Sequence, residues 1–170
     1  MAVVIRRLTK AEADAWTHLR LSALADDGSA TLSPMDAWQE RIGPLPHGAN
    51  QGLFVAEEEG QLVACGAVSV AADGPATIES MWTAPSHRGR GIATEMLRAI
   101  VRWAEHRGCR RLVLEVLESN RSARAVYARA GFRRVEGPRA VDGDASPPLI
   151  RMELTLTACS KPGVHMGRMA

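Results

Sequence analysis

The stretch that decides the fold reads Arg88-Gly89-Arg90-Gly91-Ile92-Ala93-Thr94. Residues 76–82, just before it, have the composition of a strand, and residues 95–107, just after it, have the periodicity of an amphipathic helix. Two glycines therefore lie where a strand turns into a helix. Glycine permits a positive φ and a close approach of the backbone to a ligand. The first turn of a helix offers unpaired N–H groups and the positive end of its dipole. The pattern predicts an anion cradle, with phosphate as the favoured anion.

The glycines alone leave an alternative to the anion cradle open, because a basic turn capped by glycine would have the same residues. Two familiar phosphate-binding patterns fit poorly. The dinucleotide fingerprint would need glycine at Thr94, and no early βαβ unit surrounds it. The lysine-bearing P-loop would need a Gly-Lys-Ser/Thr sequence, which the chain does not contain at that spacing.

A second block, at residues 111–132, reads Arg-Leu-Val-Leu-Glu-Val-Leu-Glu-Ser-Asn-Arg-Ser-Ala-Arg-Ala-Val-Tyr-Ala-Arg-Ala-Gly-Phe. Together with Arg88-x-x-Gly91-x-Ala93 it resembles the GNAT (GCN5-related N-acetyltransferase) superfamily. The resemblance consists of the glycine loop, a following helix, an apolar strand and then Asn-x-x-Ala-x-x-x-Tyr-x-x-x-Gly-Phe. It is specific over residues 52–135 and weak on either side.

The expected fold is α/β (α+β). The resemblance implies a GNAT-like mixed, mostly antiparallel sheet of six to seven strands with helices on both faces. Two parallel central strands should splay apart to admit acyl-coenzyme A. The residue patterns predict strands at 2–8, 53–56, 62–71, 76–83, 112–117, 132–136 and 149–156, and helices at 9–26, 35–42, 95–107 and 120–131. A single domain should cover residues 1–157, followed by a flexible tail at 158–170.

Composition narrows the function classes. The net charge of +2 gives no case for nucleic acid as a partner. Three dispersed cysteines favour a reducing compartment, and no long apolar segment opens the chain, so a cytoplasmic location without a membrane partner is expected. The five histidines show no ligand spacing, so no metal site is expected. The state of assembly stays open, with a homodimer among the alternatives.

The resemblance implies acetyl-CoA as co-substrate, without a metal. The loop formed by Arg88, Gly89, Arg90, Gly91, Ile92, Ala93 and Thr94 would hold the pyrophosphate through its backbone, and the two arginines would add charge. The pantetheine arm would pair with the backbones of Met81 and Thr83, on either side of Trp82, as a further strand would. The alternatives are solvated arginines and an ordinary interior strand end.

Asn120 and Tyr127 are seven residues apart and share a helix face. The resemblance implies that Asn120 bonds to the pantetheine arm and that Tyr127 donates a proton to the departing thiolate. Asn120 also suits a helix N-cap, and Tyr127 could instead be a core aromatic. Catalysis needs a base too, because an amine of pKa about 10.4 is neutral in only about one molecule in two thousand at pH 7. Glu79 is the candidate, with a side chain expected to point the same way as Met81 and Thr83, and Glu115 is the alternative.

The resemblance is thin at the acceptor pocket, which the two N-terminal helices and the loop at 137–148 should build. Three acids could attract a cationic amine: Glu12, Asp142 and Asp144. Two tryptophans, Trp16 and Trp38, could line the pocket or belong to the core. Cys65 could suggest an acyl-cysteine intermediate, but direct transfer in a ternary complex is favoured. The expected function is acetyl transfer to the primary amine of a small molecule, peptide or protein. A non-catalytic acyl-CoA-binding regulatory module is the main alternative, and a nucleotide-phosphate binder is a weaker one.

Overall fold

The structure is a computed structural model that describes residues 2–26, 50–71, 74–139 and 148–156. Several predicted features lie outside these residues: the helix at 35–42, most of the loop at 137–148 and the tail at 158–170. The division into a domain at 1–157 and a tail therefore stays a prediction. Within the described residues, no helix is long and apolar enough to cross a membrane.

Seven strands and three helices follow one another along the described chain. The strands are β1 (Val4–Arg7), β2 (Gln51–Glu58), β3 (Gln61–Val70), β4 (Ala76–Thr83), β5 (Arg111–Leu117), β6 (Arg133–Arg139) and β7 (Leu149–Thr155). The helices are α1 (Ala13–Asp26), α2 (Ile92–His106) and α3 (Arg121–Arg129), with short 3-10 turns at Lys10–Glu12 and Pro85–His87.

These strands form one sheet in the order β1-β2-β3-β4-β5-β7-β6. Neighbouring strands are antiparallel except β4 and β5, which the helix α2 connects as a parallel crossover. The mixed, mostly antiparallel sheet predicted from the sequence is confirmed.

The two parallel strands separate soon after they meet. They pair at only three positions, which join Ala76 to Leu112, Thr77 to Val113 and Ile78 to Leu114. Beyond these pairs β4 runs on to Thr83 and β5 to Leu117. The backbone of each strand therefore leaves its partner in the middle of the sheet, and the predicted splay is confirmed.

A β-bulge interrupts β4 just past the point of separation. Ser80 has φ of 58°, in the left-handed region, and the register between β3 and β4 shifts there. Gly66 lies opposite the bulge, where a Cβ would sit only 2.6 Å from the Met81 sulfur. The absence of a side chain at Gly66 leaves room for the extra residue. The Cys65 thiol donates to the Ser80 carbonyl oxygen at 3.4 Å.

The bulge changes which face of the sheet each later residue occupies. Glu79 pairs with Ala67, a residue of the cluster packed on α1, and so lies on the α1 face. Trp82 packs on that same cluster, whereas Met81 packs on the core beneath α2. The expected common direction of Glu79, Met81 and Thr83 is therefore wrong, because one inserted residue reverses the alternation of side chains.

Helices cover both faces of the sheet, as predicted. On one face, α1 buries Trp16 and Leu19 against residues of β2 and β3. On the other, α2 packs Met96, Leu97 and Ile100 into the larger core, where they are at most 1 % exposed. The splay therefore opens between two packed layers, which hold its edges in place.

Local signals explain several helix boundaries. Glu12 accepts a hydrogen bond from the Thr9 N–H at 2.9 Å, which is one half of the predicted capping box. The other half is absent, because the Thr9 hydroxyl donates to the Glu12 carboxylate at 2.7 Å and the Glu12 N–H donates to the Thr9 carbonyl oxygen. Gly108, with φ of 74°, follows the end of α2 as predicted.

Several predicted bounds were wrong. Strand β1 is shorter than the predicted 2–8, β2 is longer than the predicted 53–56, and α1 begins at Ala13 after a 3-10 turn instead of near residue 9. Helix α2 begins at Ile92 rather than near residue 95, and β6 continues to Arg139 instead of ending near residue 136.

Candidate active site

The glycine loop delivers its backbone to the N-terminus of α2. Gly91 is the N-cap residue, with φ of 81° and ψ of 0°, and Gly89 has φ of 75°. Gly91 has no side chain with which to cap the helix, so the first-turn N–H groups are left for an external acceptor. Ile92 is buried in the core and anchors the loop, while Ala93 and Thr94 are half-buried. The arrangement suits an anion held by backbone N–H groups.

Both loop arginines are paired with carboxylates from other elements. Arg90 makes two bonds to Glu58 of β2, at 2.9 and 2.5 Å, and Glu58 also lies 3.1 Å from His87. Arg88 binds Asp26 at the end of α1. The Arg90 guanidinium holds the pKa of Glu58 below its usual range. The positive charge that the sequence predicted for this loop is therefore largely offset by acids elsewhere in the fold.

Residues 81–83 border the splay at the end of β4. Trp82 pairs with Cys65 and Thr83 with Ala64, so the backbone edge of β4 that faces β3 is already part of the sheet. The Thr83 carbonyl oxygen accepts a hydrogen bond from Arg88 Nε at 3.0 Å. The end of β4 is thereby tied to the start of the glycine loop.

Asn120 and Tyr127 lie on α3, which follows β5. Asn120 is the N-cap residue, and its Oδ1 accepts from the Ala123 N–H at 3.0 Å and from the Ser122 hydroxyl at 3.0 Å. Its amide nitrogen is the group that remains to donate to a ligand. Tyr127 is only 9 % exposed, and its ring meets that of Phe132 edge-on at 6.1 Å between centroids. Both sequence interpretations of each residue are thus compatible with the structure.

Burial raises the pKa of Tyr127 to about 12. We expect its ionisation near pH 12 instead of the ordinary value of about 10, because the phenolate loses hydration in the core. Since Tyr127 is the only tyrosine in the chain, the near-ultraviolet difference absorbance of tyrosinate reports this group alone. Its contribution to stability should be fully present below pH 10 and lost as the pH rises through 12. Ionisation at pH 10 in the folded protein would show that the ring is hydrated.

The two candidate bases occupy equivalent places on the splayed strands. Glu79 directly follows Ile78, and Glu115 directly follows Leu114, the last residues that pair between β4 and β5. Both side chains are exposed. Glu79 lies on the α1 face, and Glu115 alternates with Leu114 and Val116, which are buried on the α2 face. Both carboxylates therefore flank the start of the splay on one side of the sheet.

Other candidates from the sequence are occupied elsewhere. Arg6 binds Glu12 at 2.7 Å and holds its pKa at about 2, so this acid serves a local cluster. Trp16 is a core residue, 3 % exposed. Burial raises the pKa of the Cys65 thiol to about 12, which keeps it protonated and unreactive. Trp38, Asp142 and Asp144 lie outside the described residues. Among the residues that are described, no group of three or more His, Cys, Asp or Glu side chains could hold a metal ion.

Sequence reasoning missed Asp26 and Glu58, the two acids that pair with the loop. They stand in Asp26-Asp27-Gly28 and Glu58-Glu59-Gly60, which indicate only a helix end and a turn. The partners are 62 and 32 residues away. No local spacing carries that information.

The chain belongs to the acetyltransferase (GNAT) family, which residues 9–132 match. It is 34 % identical over 80 residues to the uncharacterized N-acetyltransferase YobR of Bacillus subtilis, covering 47 % of this chain and 32 % of that protein. It is 40 % identical over 86 residues to streptothricin acetyltransferase of Streptomyces lavendulae, covering 49 % of this chain and 46 % of the relative. The chain thus spans less than half the length of these curated relatives.

The fold is also that of a solved family structure. The ribosomal-protein-S18-alanine N-acetyltransferase of Escherichia coli superposes with a TM-score of 0.74 at 23 % identity, over 95 % of this chain and 98 % of that one. At this identity the likeness concerns the fold. Family membership agrees with the resemblance seen in the sequence motifs.

Proposed function

We propose that this protein transfers an acetyl group from acetyl-CoA to a primary amine by direct attack in a ternary complex. The observation that carries the proposal is the splay of β4 from β5, which opens beside the uncapped N-terminus of α2. A pyrophosphate at that N-terminus would let the pantetheine arm run along residues 81–83 and bring the thioester to the bulge at Ser80.

The chemistry assigns a task to each group. The amine nitrogen attacks the thioester carbonyl carbon, and a backbone N–H of the β4 end stabilises the developing oxyanion. The proton that the ammonium loses before the attack goes to Glu79, directly or through a water. The C–S bond then breaks, the acetyl group remains on nitrogen and the thiolate takes a proton from Tyr127. The nitrogen gives up its second proton as the amide forms, and that proton restores the Tyr127 phenol through solvent. Asn120 positions the pantetheine arm through its amide nitrogen.

Glu79 and Glu115 make a matched pair for identifying the base. We expect Glu79→Gln to lower kcat/KM about hundredfold, because the amide cannot accept the proton. Glu115→Gln should leave kcat/KM nearly unchanged. Steady-state kinetics with the acceptor as varied substrate measures both. The reverse pattern would make Glu115 the base, and an unchanged kcat/KM in both variants would require a water chain.

The acceptor is a primary amine on a small molecule, a peptide or a protein. The relative named for streptothricin suggests a small molecule, and the solved structure named for ribosomal protein S18 suggests a protein alanine. The exposed carboxylate of Glu79 suits a cationic acceptor of either kind.

Calorimetric titration with acetyl-CoA, free CoA and ATP tests the cofactor, and a free-thiol assay across a panel of amines tests the reaction. We expect selective binding of the CoA compounds and thiol release with one class of amine. Binding without release on any amine would favour a non-catalytic acyl-CoA-binding module. Absence of CoA binding would overturn the proposal.

A further inference from the structure

Asp26 joins three elements at one carboxylate. It is the last residue of α1, and its Oδ2 accepts from Trp82 Nε1 of β4 at 3.0 Å. The same oxygen accepts from the Arg88 guanidinium at the start of the glycine loop. Arg88 in turn donates from Nε to the Thr83 carbonyl oxygen. One side chain thereby links the end of a helix to both segments proposed to hold the cofactor.

Helix stability does not account for an acid at this position. The C-terminus of a helix carries the negative end of its dipole, so a carboxylate there is unfavourable for the helix itself. The last turn of α1 contains no basic residue that would compensate. The hydrogen bond from Trp82, followed by the one from Arg88, lowers the pKa of Asp26, so the carboxylate is held ionised by its two partners. Asp26 therefore stabilises the contact with Trp82 and Arg88 and does not stabilise the helix.

The β4 bulge makes this contact geometrically available. Because the bulge reverses the alternation, Trp82 points to the α1 face, while the neighbouring Met81 points to the α2 face. The indole packs beneath α1, and its N–H reaches the helix end. A shift of β4 as it receives a ligand would therefore be transmitted to α1 through Trp82.

We propose that Asp26 is a positioning residue that couples occupancy of the cofactor site to the C-terminal turn of α1. The inference rests on the proposed function, because the coupled ligand is acetyl-CoA. Asp26 does not touch the reacting atoms. It holds Arg88 and Trp82, and through them it fixes the end of β4 relative to the glycine loop. Helix α1 covers the sheet face on which Glu79 and Glu115 lie, so the coupling reaches the side proposed for the acceptor.

The coupling makes a prediction for Asp26→Asn, which keeps the shape of the side chain but removes its charge. We expect acetyl-CoA affinity to fall about tenfold, because charge-assisted bonds to two donors are weakened. In the unaltered protein, acetyl-CoA should slow hydrogen exchange in the last turn of α1. In Asp26→Asn that protection should be lost even at saturating acetyl-CoA. Calorimetry and hydrogen-exchange mass spectrometry measure the two effects.

Asp14→Asn is the matched control, since Asp14 is an exposed acid in the first turn of the same helix. It should leave both measurements unchanged. Trp82→Phe keeps an aromatic ring but removes the donor, and it should reproduce the loss of protection. This second variant keeps the test decisive if Asp26→Asn folds poorly.

Three outcomes would overturn the inference. Unchanged affinity and retained protection in Asp26→Asn and Trp82→Phe would show that the contact couples nothing. Tighter binding in Asp26→Asn would show that Asp26 merely competes with phosphate for Arg88. If the unaltered protein binds no acetyl-CoA, the proposed function fails as well, so the two failures are distinguishable.

Discussion

Gly91→Glu should weaken acetyl-CoA binding at least about hundredfold. Gly91 caps α2 with φ of 81°, directly beside the N–H groups proposed to hold the pyrophosphate. A carboxylate there would repel the anion and would compete for the same donors. Losing charge-assisted hydrogen bonds of about 1.5–3 kcal/mol each readily accounts for a hundredfold change. Calorimetric titration with acetyl-CoA measures the effect directly.

Two controls separate repulsion from backbone strain in that experiment. Gly91→Ala introduces the same left-handed strain without charge and should bind far better than the glutamate variant. Gly108→Glu places the same residue at φ of 74°, at the opposite end of the same helix, where a Cβ also meets nothing within 4 Å. Its affinity should match that of the unaltered protein. Equal losses in the variants at Gly91 and Gly108 would mean that strain alone is responsible.

Tyr127→Phe should lower kcat about hundredfold while changing the KM for acetyl-CoA little. The hydroxyl is proposed to donate its proton when the C–S bond breaks, so its removal should destabilise the transition state and leave binding of acetyl-CoA little changed. Phenylalanine preserves the edge-on packing against Phe132, so the core should remain intact. Burial raises the pKa of Tyr127 to about 12, so the phenol proton is present throughout the working pH range. We therefore expect Tyr127 to cause no decline of kcat with rising pH below pH 10. Steady-state kinetics over pH measures each point.

The choice of acyl donor provides a control for this assignment. A thioester whose leaving thiol is more acidic needs less help from a proton donor, so Tyr127→Phe should slow its reaction much less. An equal loss with both donors would indicate that the hydroxyl positions the cofactor instead of protonating the thiolate. An unchanged kcat would remove Tyr127 from the mechanism.

The sequence by itself determined the features that depend on neighbours within a helical turn or along one strand. Gly91 and Gly108 could be placed at positive φ because both stand at helix ends. Asn120 could be recognised as an N-cap because it directly precedes a helical pattern. The strand-helix-strand order around the glycine loop predicted the parallel pair, and the family motif predicted its splay.

Only the tertiary structure decided which residues face each other across the site. The bulge at Ser80 places Glu79 on the opposite face of the sheet from Met81. The residues around Ser80 do not indicate the bulge, because the space for it comes from Gly66 on the neighbouring strand. The partners of Arg88 and Arg90, 62 and 32 residues distant, were equally unpredictable. Hydrogen bonds and side-chain packing act over a few ångströms, so contacts between remote residues exist only once the sheet has brought their strands and helices together.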